Sequence, residues 1–222
     1  TISGNSANKN SIGIDLYQSD DNFISGNTAN NNANYYYYEG SGIYLTFSND
    51  NMVSGNTVNN NLWSGIYLLG TRNTISRNLI KNNQNYGIYI SSYQNNLIYQ
   101  NSFIGNVGCH AYDSGTDTQW SNLGIGNYWD NHTSPDSDDD GIVDLPYTWI
   151  QGSAGSVDNY PLAESSHIAE KIHIDDNAGN NWEWASTQPW CSGSGTYSDP
   201  YIIHGLIIDA GGSRSGIFIE NS

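Results

Sequence analysis

The sequence predicts an all-β fold, a right-handed parallel β-helix in which each turn of the chain stacks on the next. The first observation is a phrase of the type Ile-Ser-Gly-Asn, whose asparagine stands at positions 5, 27, 56, 78 and 101, at steps of 22, 29, 22 and 23 residues. A second phrase, of the type Gly-Ile-x-Leu, runs in phase with it from positions 13, 42, 65 and 87. A period in the low twenties indicates a solenoid, because one such turn cannot bury its own apolar face.

Each turn is expected to consist of strands. Apolar residues alternate within the Gly-Ile-x-Leu phrase, so two side chains enter the core and the middle one points outward. The phrases are short, rich in Ile, Tyr and Leu, and bounded by Asn, Ser or Gly, which tolerate tight turns. Leucine-rich repeats have a similar period but need leucines and a helical return, which this chain lacks. The right hand follows from the general rule for parallel crossovers.

The recurring asparagines have two structural interpretations. Stacked at one corner, they would pass amide hydrogen bonds from coil to coil as a ladder. Alternatively, each would simply accept a left-handed turn conformation. We favour the ladder, because a turn alone would accept Gly or Asp in some copies. The predicted ladder residues are Asn5, Asn27, Asn56, Asn78 and Asn101.

Composition limits the partners and the location of the protein. The formal net charge is −16, with only 6 Lys and Arg among 222 residues, which excludes nucleic acid and anionic membrane surfaces as expected partners. No apolar run approaches the length of a membrane span, so we expect no membrane insertion. A polar surface rich in Asn, Gly, Ser and Tyr is typical of exported proteins, which predicts an extracellular or cell-surface location.

The two cysteines, Cys109 and Cys191, leave two alternatives open. In an exported protein they could form a disulfide that closes a long loop. They could equally be two buried free thiols.

The second coil is longer than the others, and the excess contains Tyr35, Tyr36, Tyr37 and Tyr38. We expect it to project as a loop. Exposed tyrosines would suit sugar stacking or a subunit contact, whereas the alternative is a loop folded flat along the solenoid. Tyr44, Tyr67 and Tyr89 form a separate predicted column on the outer face of one sheet, which stacking along that sheet would explain without a ligand.

Beyond residue 107 the period ends and an acidic segment follows. Residues 136–144 read Asp-Ser-Asp-Asp-Asp-Gly-Ile-Val-Asp, with Asp at relative positions 1, 3, 5 and 9 and Gly at 6. This spacing matches the start of an EF-hand-type loop, in which alternate carboxylates converge on Ca²⁺. Position 12 is Tyr147 and no flanking helices are expected, so the prediction is a helix-free calcium loop; the alternative is a solvated acidic loop. The predicted ligands are Asp136, Asp138, Asp140, Asp144 and the carbonyl of Ile142.

These observations divide the chain into three segments. Residues 1–107 form the β-helix coils, and residues 108–164 close the solenoid with the calcium loop and an aromatic-rich cap region. Residues 165–222 are expected to begin a further solenoid unit, because the phrase Gly-Ile-Phe-Ile returns at 216–219.

The coil phrases, joined to Gly-Asn-Tyr-Trp-Asp at 126–130, the acidic segment and Val-Asp-Asn-Tyr-Pro-Leu at 157–162, resemble NosD-like parallel β-helix repeat proteins. The resemblance covers roughly residues 1–162 and implies a pectate-lyase-like solenoid of a kind common in archaeal surface proteins. Residues 191–203 resemble the segment that opens such solenoids in multi-unit members. The name NosD implies copper. However, Met52 is the single methionine and the five histidines (positions 110, 132, 167, 173 and 204) show no paired ligand spacing, so we do not expect copper delivery.

Catalysis is not expected either. A glycosidase needs two carboxylates about 5–9.5 Å apart on a shared face, and the carboxylates of residues 1–107 are scattered over turns. A polysaccharide lyase would need a basic residue beside the calcium, and the loop has none nearby. We therefore predict a non-catalytic extracellular structural protein, a surface or fibre component stabilised by calcium. The alternative is a carbohydrate-binding or carbohydrate-active β-helix protein.

The two ends of the sequence predict a self-partner. Across a join of Ser222 to Thr1, Gly216 would precede Ile2 by eight residues, close to the ten and eleven residues between the two phrases in internal coils. The sequence begins in mid-coil, which suggests a processed product or part of something larger. We expect copies to stack head to tail, as subunits or tandem units, with residues 201–222 against residues 1–30 of the next copy.

Overall fold

The chain folds as a parallel β-solenoid of about five turns with almost no helix. The computed structural model describes residues 1–33, 40–165, 172–188, 191–203 and 217–221, and the backbone of 168–169 and 207–208. Two compact units are present, Thr1–Glu164 and Ser165–Ser222. Their boundary coincides with the predicted start of the third segment, whereas the first two predicted segments fold together as unit one.

Short parallel strands build unit one. In chain order they are β1 (Ile2–Ser3), β2 (Ile14–Tyr17), β3 (Phe23–Ser25), β4 (Ile43–Thr46), β5 (Met52–Ser54), β6 (Thr57–Asn59), β7 (Ser64–Leu69), β8 (Thr74–Ser76), β9 (Leu79–Lys81), β10 (Tyr86–Ile90), β11 (Leu97–Tyr99), β12 (Ser102–Ile104), β13 (Cys109–Asp113) and β14 (Tyr128–Trp129). They form three sheets, with strand orders β1-β3-β5-β8-β11, β2-β4-β7-β10-β13 and β6-β9-β12-β14. From β5 to β13, every turn therefore contributes one strand to each side of the solenoid.

Equivalent residues of successive coils lie side by side, which makes the core a set of aliphatic columns. In the second sheet Ile43 pairs with Ile66, which is in register with Ile88. All three side chains are fully buried. Of the middle residues of these phrases, Asp15 is exposed and Tyr44 is partly exposed, whereas Tyr67 is covered by the rings of Tyr44 and Tyr89. Because each buried aliphatic side chain contributes roughly 1.5–3 kcal/mol, the columns are the main stabilising feature of unit one.

The left-handed turn conformation belongs to the residue before each ladder asparagine, not to the asparagine. Gly4, Gly26 and Gly55 have φ of 67°, 61° and 65°, and the equivalent Arg77 and Gln100 have φ of 54° and 55°. Glycine suits this position because it has no Cβ, whereas an L-residue there costs about 1–2 kcal/mol. The alternative interpretation, in which each asparagine itself adopts the left-handed turn conformation, is therefore wrong.

Unit two contains β15 (Ile168–Ala169), β16 (Ile172–Asp175), α1 (Trp182–Ser186), β17 (Cys191–Ser192), β18 (Ile202–Ile203), β19 (Ile207–Ile208) and β20 (Ile217–Glu220). β15 pairs with β19 and β16 with β20 in parallel, and β17 pairs with β18 in antiparallel orientation. Ile172, Ile174, Ala185 and Cys191 form its small core. In the described part of the chain, no helix has the length and apolar character needed to cross a membrane.

Candidate functional site

A continuous asparagine ladder runs along one corner of unit one. Each side-chain amide donates to the Oδ1 of the asparagine in the next coil, at 2.9–3.0 Å, and each backbone N–H donates to the same oxygen at 2.9–3.1 Å. The five predicted residues all take part. The ladder extends one coil further, to Asn127.

Two additional ladders run in parallel with the first, and the sequence analysis missed both. One joins Asn32, Asn61, Asn83 and Asn106, and the other joins Asn51, Asn73 and Asn96, with the backbone N–H of Asn22 donating to Asn51. Their steps of 29, 22 and 23 residues repeat those of the predicted ladder. The sequence therefore contains the same periodic signal for these asparagines, outside the Ile-Ser-Gly-Asn phrase.

The first ladder ends on a buried carboxylate. Asp158 is inaccessible to solvent, and its Oδ2 accepts the backbone N–H of Asn127 at 2.7 Å and the indole N–H of Trp129 at 3.0 Å. Its Oδ1 accepts the backbone N–H of Tyr160 at 3.1 Å. Burial raises the pKa of Asp158, and the donated hydrogen bonds oppose that shift. These contacts join the Gly-Asn-Tyr-Trp-Asp segment that contains Trp129 to the Val-Asp-Asn-Tyr-Pro-Leu segment that contains Tyr160.

A second buried carboxylate, Asp113, has the same kind of surroundings. Its Oδ2 accepts the indole N–H of Trp120 at 3.1 Å and the hydroxyl of Ser156 at 2.6 Å, and its Oδ1 accepts the backbone N–H of Gly115 at 2.8 Å. Asp113 thus connects β13 to the chain around residue 156. Both carboxylates act as hydrogen-bond acceptors that hold the closing segment against the coils.

Aromatic rings stack beneath the closing segment. Trp129 lies between Phe103, at a centroid distance of 4.5 Å, and Tyr147, at 3.9 Å, with all three rings nearly parallel. Each of these side chains is at most 1% exposed. Burial raises the pKa of Tyr147 well above its usual range.

In the predicted calcium loop, Asp136, Asp138 and Asp144 each place a carboxylate oxygen within 4.8 Å of the other two. Asp140 is not part of this group, and its Oδ1 accepts the backbone N–H of Ile142 at 2.8 Å. Gly141, the predicted glycine of the sharp turn, has φ of 84°. Three of the four predicted carboxylates therefore converge.

The loop is attached to the solenoid at its glycine end. Ile142 forms an antiparallel bridge with Leu162, and the backbone N–H of Ala163 donates to the Gly141 carbonyl at 2.9 Å. Leu162 in turn bridges in parallel to Tyr128 in β14. The predicted carbonyl ligand thus lies where the loop joins the coils.

The tyrosine column is a continuous stack and is one residue longer than predicted. Tyr44 and Tyr67 have ring centroids 4.6 Å apart, Tyr67 and Tyr89 5.0 Å, and Tyr89 and Tyr112 4.8 Å, with interplanar angles of 16°, 6° and 3°. Each inner ring presents its faces to its neighbours, which is consistent with the predicted stacking along the sheet. The predicted contact residues Tyr35, Tyr36, Tyr37 and Tyr38 lie outside the described residues.

A polar cavity of about 260 Å³ opens beside the closing segment, and no sequence motif predicts it. Asn131, Trp149 and Gln151 are among its lining residues, and Tyr147 lies at one side. Trp149 is 57% exposed. Its ring meets the edges of Tyr147 and His132 at centroid distances of 5.7 and 5.8 Å. An exposed indole can stack against a sugar ring, and the neighbouring side-chain amides can hydrogen-bond to sugar hydroxyls.

The imidazoles of unit one, those of His110 and His132, form polar contacts with neighbouring groups. His110 is 7% exposed and lies with Nδ1 3.2 Å from the amide nitrogen of Asn106 and Nε2 2.8 Å from Asp130. Because the amide donates, Nδ1 accepts and Nε2–H donates to the carboxylate. Burial lowers the pKa of His110, although Asp130 opposes this. His132 has Nε2 2.8 Å from the carbonyl of Leu145.

Cys109 and Cys191 are both free thiols in the structure, one in each unit. Cys109 is half-buried and its Sγ donates to the carbonyl of Ala111 at 3.3 Å. Burial raises the pKa of Cys109 to about 11.

Comparison with known proteins gives a family for these coils. The sequence profile of the family described as "Periplasmic copper-binding protein (NosD)" matches residues 1–134. A relative named "Probable ABC transporter binding protein NosD", from Pseudomonas aeruginosa, is 41% identical over 54 residues, which are 24% of this chain and 13% of that protein. No solved structure matches the chain significantly. Because the profile covers more than half of the chain and falls on the stacked coils, the protein belongs to the NosD family.

Proposed function

We propose that this chain is a non-catalytic, exported structural solenoid whose closing segment binds one calcium ion. The observation that carries the proposal is the continuous ladder from Asn5 to Asn127 and its termination on Asp158. Buried amides that are all hydrogen-bonded from coil to coil favour a rigid, regular rod. A rod of this kind suits a surface or fibre component.

The carboxylates of unit one support a structural interpretation. Asp113 and Asp158 are both fully buried and each accepts an indole N–H together with backbone or hydroxyl donors. We therefore assign them to fold closure and not to acid–base chemistry. Incubation with a panel of acidic and neutral polysaccharides tests this assignment. Turnover that disappears in an Asp113→Asn or Asp158→Asn variant that retains its fold would contradict it.

The calcium proposal rests on the convergence of Asp136, Asp138 and Asp144. Three carboxylates at this spacing repel one another, and a hard divalent cation with oxygen ligands would relieve that repulsion. Because the loop is bridged to Leu162, calcium bound to the folded form would stabilise unit one through mass action. At a calcium concentration about 100 times Kd, the gain in unfolding free energy would be about 2.7 kcal/mol.

The test compares thermal unfolding in EGTA and in millimolar calcium. We expect a higher Tm with calcium for the native protein and no calcium effect for Asp138→Asn. Asp21→Asn is the matched control, because it removes the same charge from an exposed turn and should keep the full calcium response. An unchanged Tm on calcium addition to the native protein would refute the site.

The family's description names copper, but the matched residues do not fit that ion. Among the described residues of 1–134, His110 uses both ring nitrogens in hydrogen bonds and Met52 is 44% exposed at the surface. The described residues of this range contain no group of three converging His, Cys, Asp or Glu donors. Soft or imidazole-rich donor sets are what copper prefers, so we propose no copper chemistry for these coils.

Self-association is a further part of the proposal. The outermost strand of the β16–β20 pair carries Ile217 and Ile219, which are 43% and 42% exposed. Within the part of the chain that the structure describes, β20 pairs with β16 alone, which leaves one strand edge of the type that pairs with another strand. A further coil would cover it, either from a second copy of this chain or from additional coils of the same polypeptide.

Carbohydrate binding is the second candidate, because of the cavity beside Trp149. Stacked neighbours occupy the faces of the inner rings in the tyrosine column, so that column offers little for sugar stacking. The exposed indole of Trp149, next to Asn131 and Gln151, is better suited. Tryptophan fluorescence titrations with neutral oligosaccharides test this candidate, and a saturable change that is absent in Trp149→Ala would favour it.

A further inference from the structure

A second group of metal-ligating side chains lies in unit two, away from the calcium loop in sequence and different from it in chemistry. β16 and β20 pair in parallel with His173 beside Phe218 and Asp175 beside Glu220. Ile172 and Ile174 alternate with these residues and are buried in the core of the unit. His173, Asp175 and Glu220 therefore project from the same outer face of the strand pair.

The three side chains converge closely. Each offers one ligand atom, and these atoms lie within 4.8 Å of one another. The Nε2 of His173 is 2.8 Å from a carboxylate oxygen of Glu220. All three side chains are partly buried, which limits their mobility and their hydration relative to fully exposed groups.

Neighbouring groups orient the ligands. The Oδ1 of Asp175 accepts the side-chain amide of Asn221 and the backbone N–H of Asn177, both at 2.9 Å. This leaves Oδ2 of Asp175 available to a ligand. The ring of Phe218 contacts the imidazole of His173 at a centroid distance of 5.2 Å. Such outer-shell contacts are what fix the orientation of ligating side chains in metal sites.

We propose that His173, Asp175 and Glu220 bind a divalent transition-metal ion of borderline softness, for which Zn²⁺ is the probe. One imidazole and two carboxylates match the ligands that zinc takes, and three protein ligands leave a fourth position for water. With His173 neutral, the two carboxylates balance the charge of the ion. Without an ion, Asp175 and Glu220 are like charges on directly opposite residues of neighbouring strands, an arrangement that destabilises a sheet.

The predicted consequence of metal binding is a cross-link between two strands. Two of the ligands lie on β16 and the third lies on β20, so a bound ion joins the two strands across their outer face. The ion would fix the register in which β20 adds to β16. It would act independently of the loop around Asp138, which carries only carboxylates and belongs to unit one.

The experiment measures zinc binding to the full chain in excess calcium, so that the acidic loop is filled with its preferred ion. Competition with a chromogenic chelator gives the affinity, and cobalt substitution reports ligand geometry through its visible absorption. We expect one zinc ion per chain. His173→Ala and Glu220→Gln should each weaken binding at least about tenfold, because each removes a direct ligand.

Glu183→Gln is the matched control, since it removes the same charge from an exposed position on α1 and should leave zinc affinity unchanged. Far-UV circular dichroism checks that the variants stay folded. If His173→Ala does not fold, the conservative Glu220→Gln variant still tests the site. Binding of zinc by both variants with native affinity would overturn the proposal. So would the absence of zinc binding to the native chain at millimolar concentrations.

Discussion

At the scale of single residues, glycine and asparagine have different roles at each corner of the coil. The residue at positions 4, 26 and 55 is glycine with positive φ, and the asparagine that follows it makes the contacts between coils. An amide suits a ladder because it both donates and accepts, so each copy can satisfy its neighbours on both sides. Aspartate cannot donate, which explains why Asp158 stands at the end of the ladder and not within it.

The interior of the ladder should be far more sensitive than its exposed end. Asn56→Ala removes the acceptor of two donors from Asn27 and the donor to the buried carbonyl of Ile24. We expect a loss of about 3 kcal/mol in unfolding free energy, because buried groups left unpaired cost roughly 1–3 kcal/mol each. Urea unfolding measures it. Asn5→Ala, at an exposed position, should cost about 1 kcal/mol, and equal losses for the two variants would contradict the ladder's importance.

His110 should make unit one less stable in mild acid. Burial holds its pKa below the 6.5 of an unfolded histidine, so the unfolded chain binds the proton more readily than the folded one. The stability contributed by neutral His110 is therefore complete above about pH 6.5 and is lost as the pH falls through its folded pKa. Melting temperatures at pH 7.5 and 5.0 measure this dependence, which should be smaller in His110→Gln. An identical pH dependence in that variant would disprove the role of His110.

At the scale of elements, the glycine that opens each Gly-Ile-x-Leu phrase is a contact point between coils. A Cβ on Gly65 would lie 2.7 Å from the carbonyl oxygen of Gly87 and 2.8 Å from the amide nitrogen of Asn83. Gly42 and Gly87 have equivalent surroundings, with the side chains of Asn61 and Asn106. The glycine column therefore lies directly against one of the additional asparagine ladders. A side chain at these glycine positions would collide with the ladder amides.

Gly65→Ala should destabilise unit one by about 3 kcal/mol, because the methyl group meets backbone and buried amide atoms that have no room to move. Differential scanning calorimetry measures the loss. Gly179→Ala is the matched control, since a Cβ there meets no atom within 4 Å and the change should stay within about 0.5 kcal/mol. Similar melting temperatures for the two variants would show that the coils can separate locally at no cost.

At the scale of the whole molecule, the chain combines one long solenoid unit with the strands of a second. Unit one is closed by the contacts of Asp113 and Asp158, whereas in unit two the strand β20 leaves its apolar residues accessible. The proposed self-association uses this strand, because an apolar strand edge favours pairing with another strand.

Self-association should therefore depend on β20. Light scattering after size exclusion, at protein concentrations from micromolar to near millimolar, should show open-ended multimers whose mass grows with concentration. Ile219→Asp should reduce their mass, because it places a charge on the apolar edge. Leu123→Asp is the control, since Leu123 is 96% exposed in unit one and its loss should have no effect. A constant monomer mass at every concentration would refute the proposal.

The solenoid could be predicted from the repeated phrases alone. Periodic phrases such as Ile-Ser-Gly-Asn report the fold directly, because every copy meets the same neighbours and each coil position imposes the same requirement on the residue there. Register, the alternation of inward and outward side chains and the first asparagine ladder could all be predicted for this reason. The two other ladders obey the same period, so they were also accessible from the sequence.

Contacts between non-periodic residues depend on the three-dimensional packing and could not be predicted from the repeat. Asp158 contacts Trp129 and Ser156 contacts Asp113, and all four residues lie beyond residue 107, where the periodic phrases have ended. The same holds for His173 and Glu220, which the pairing of β16 with β20 brings together. Such contacts depend on how loops return to the coils, and loop paths follow from the packing of the whole unit, which sequence spacing alone does not encode.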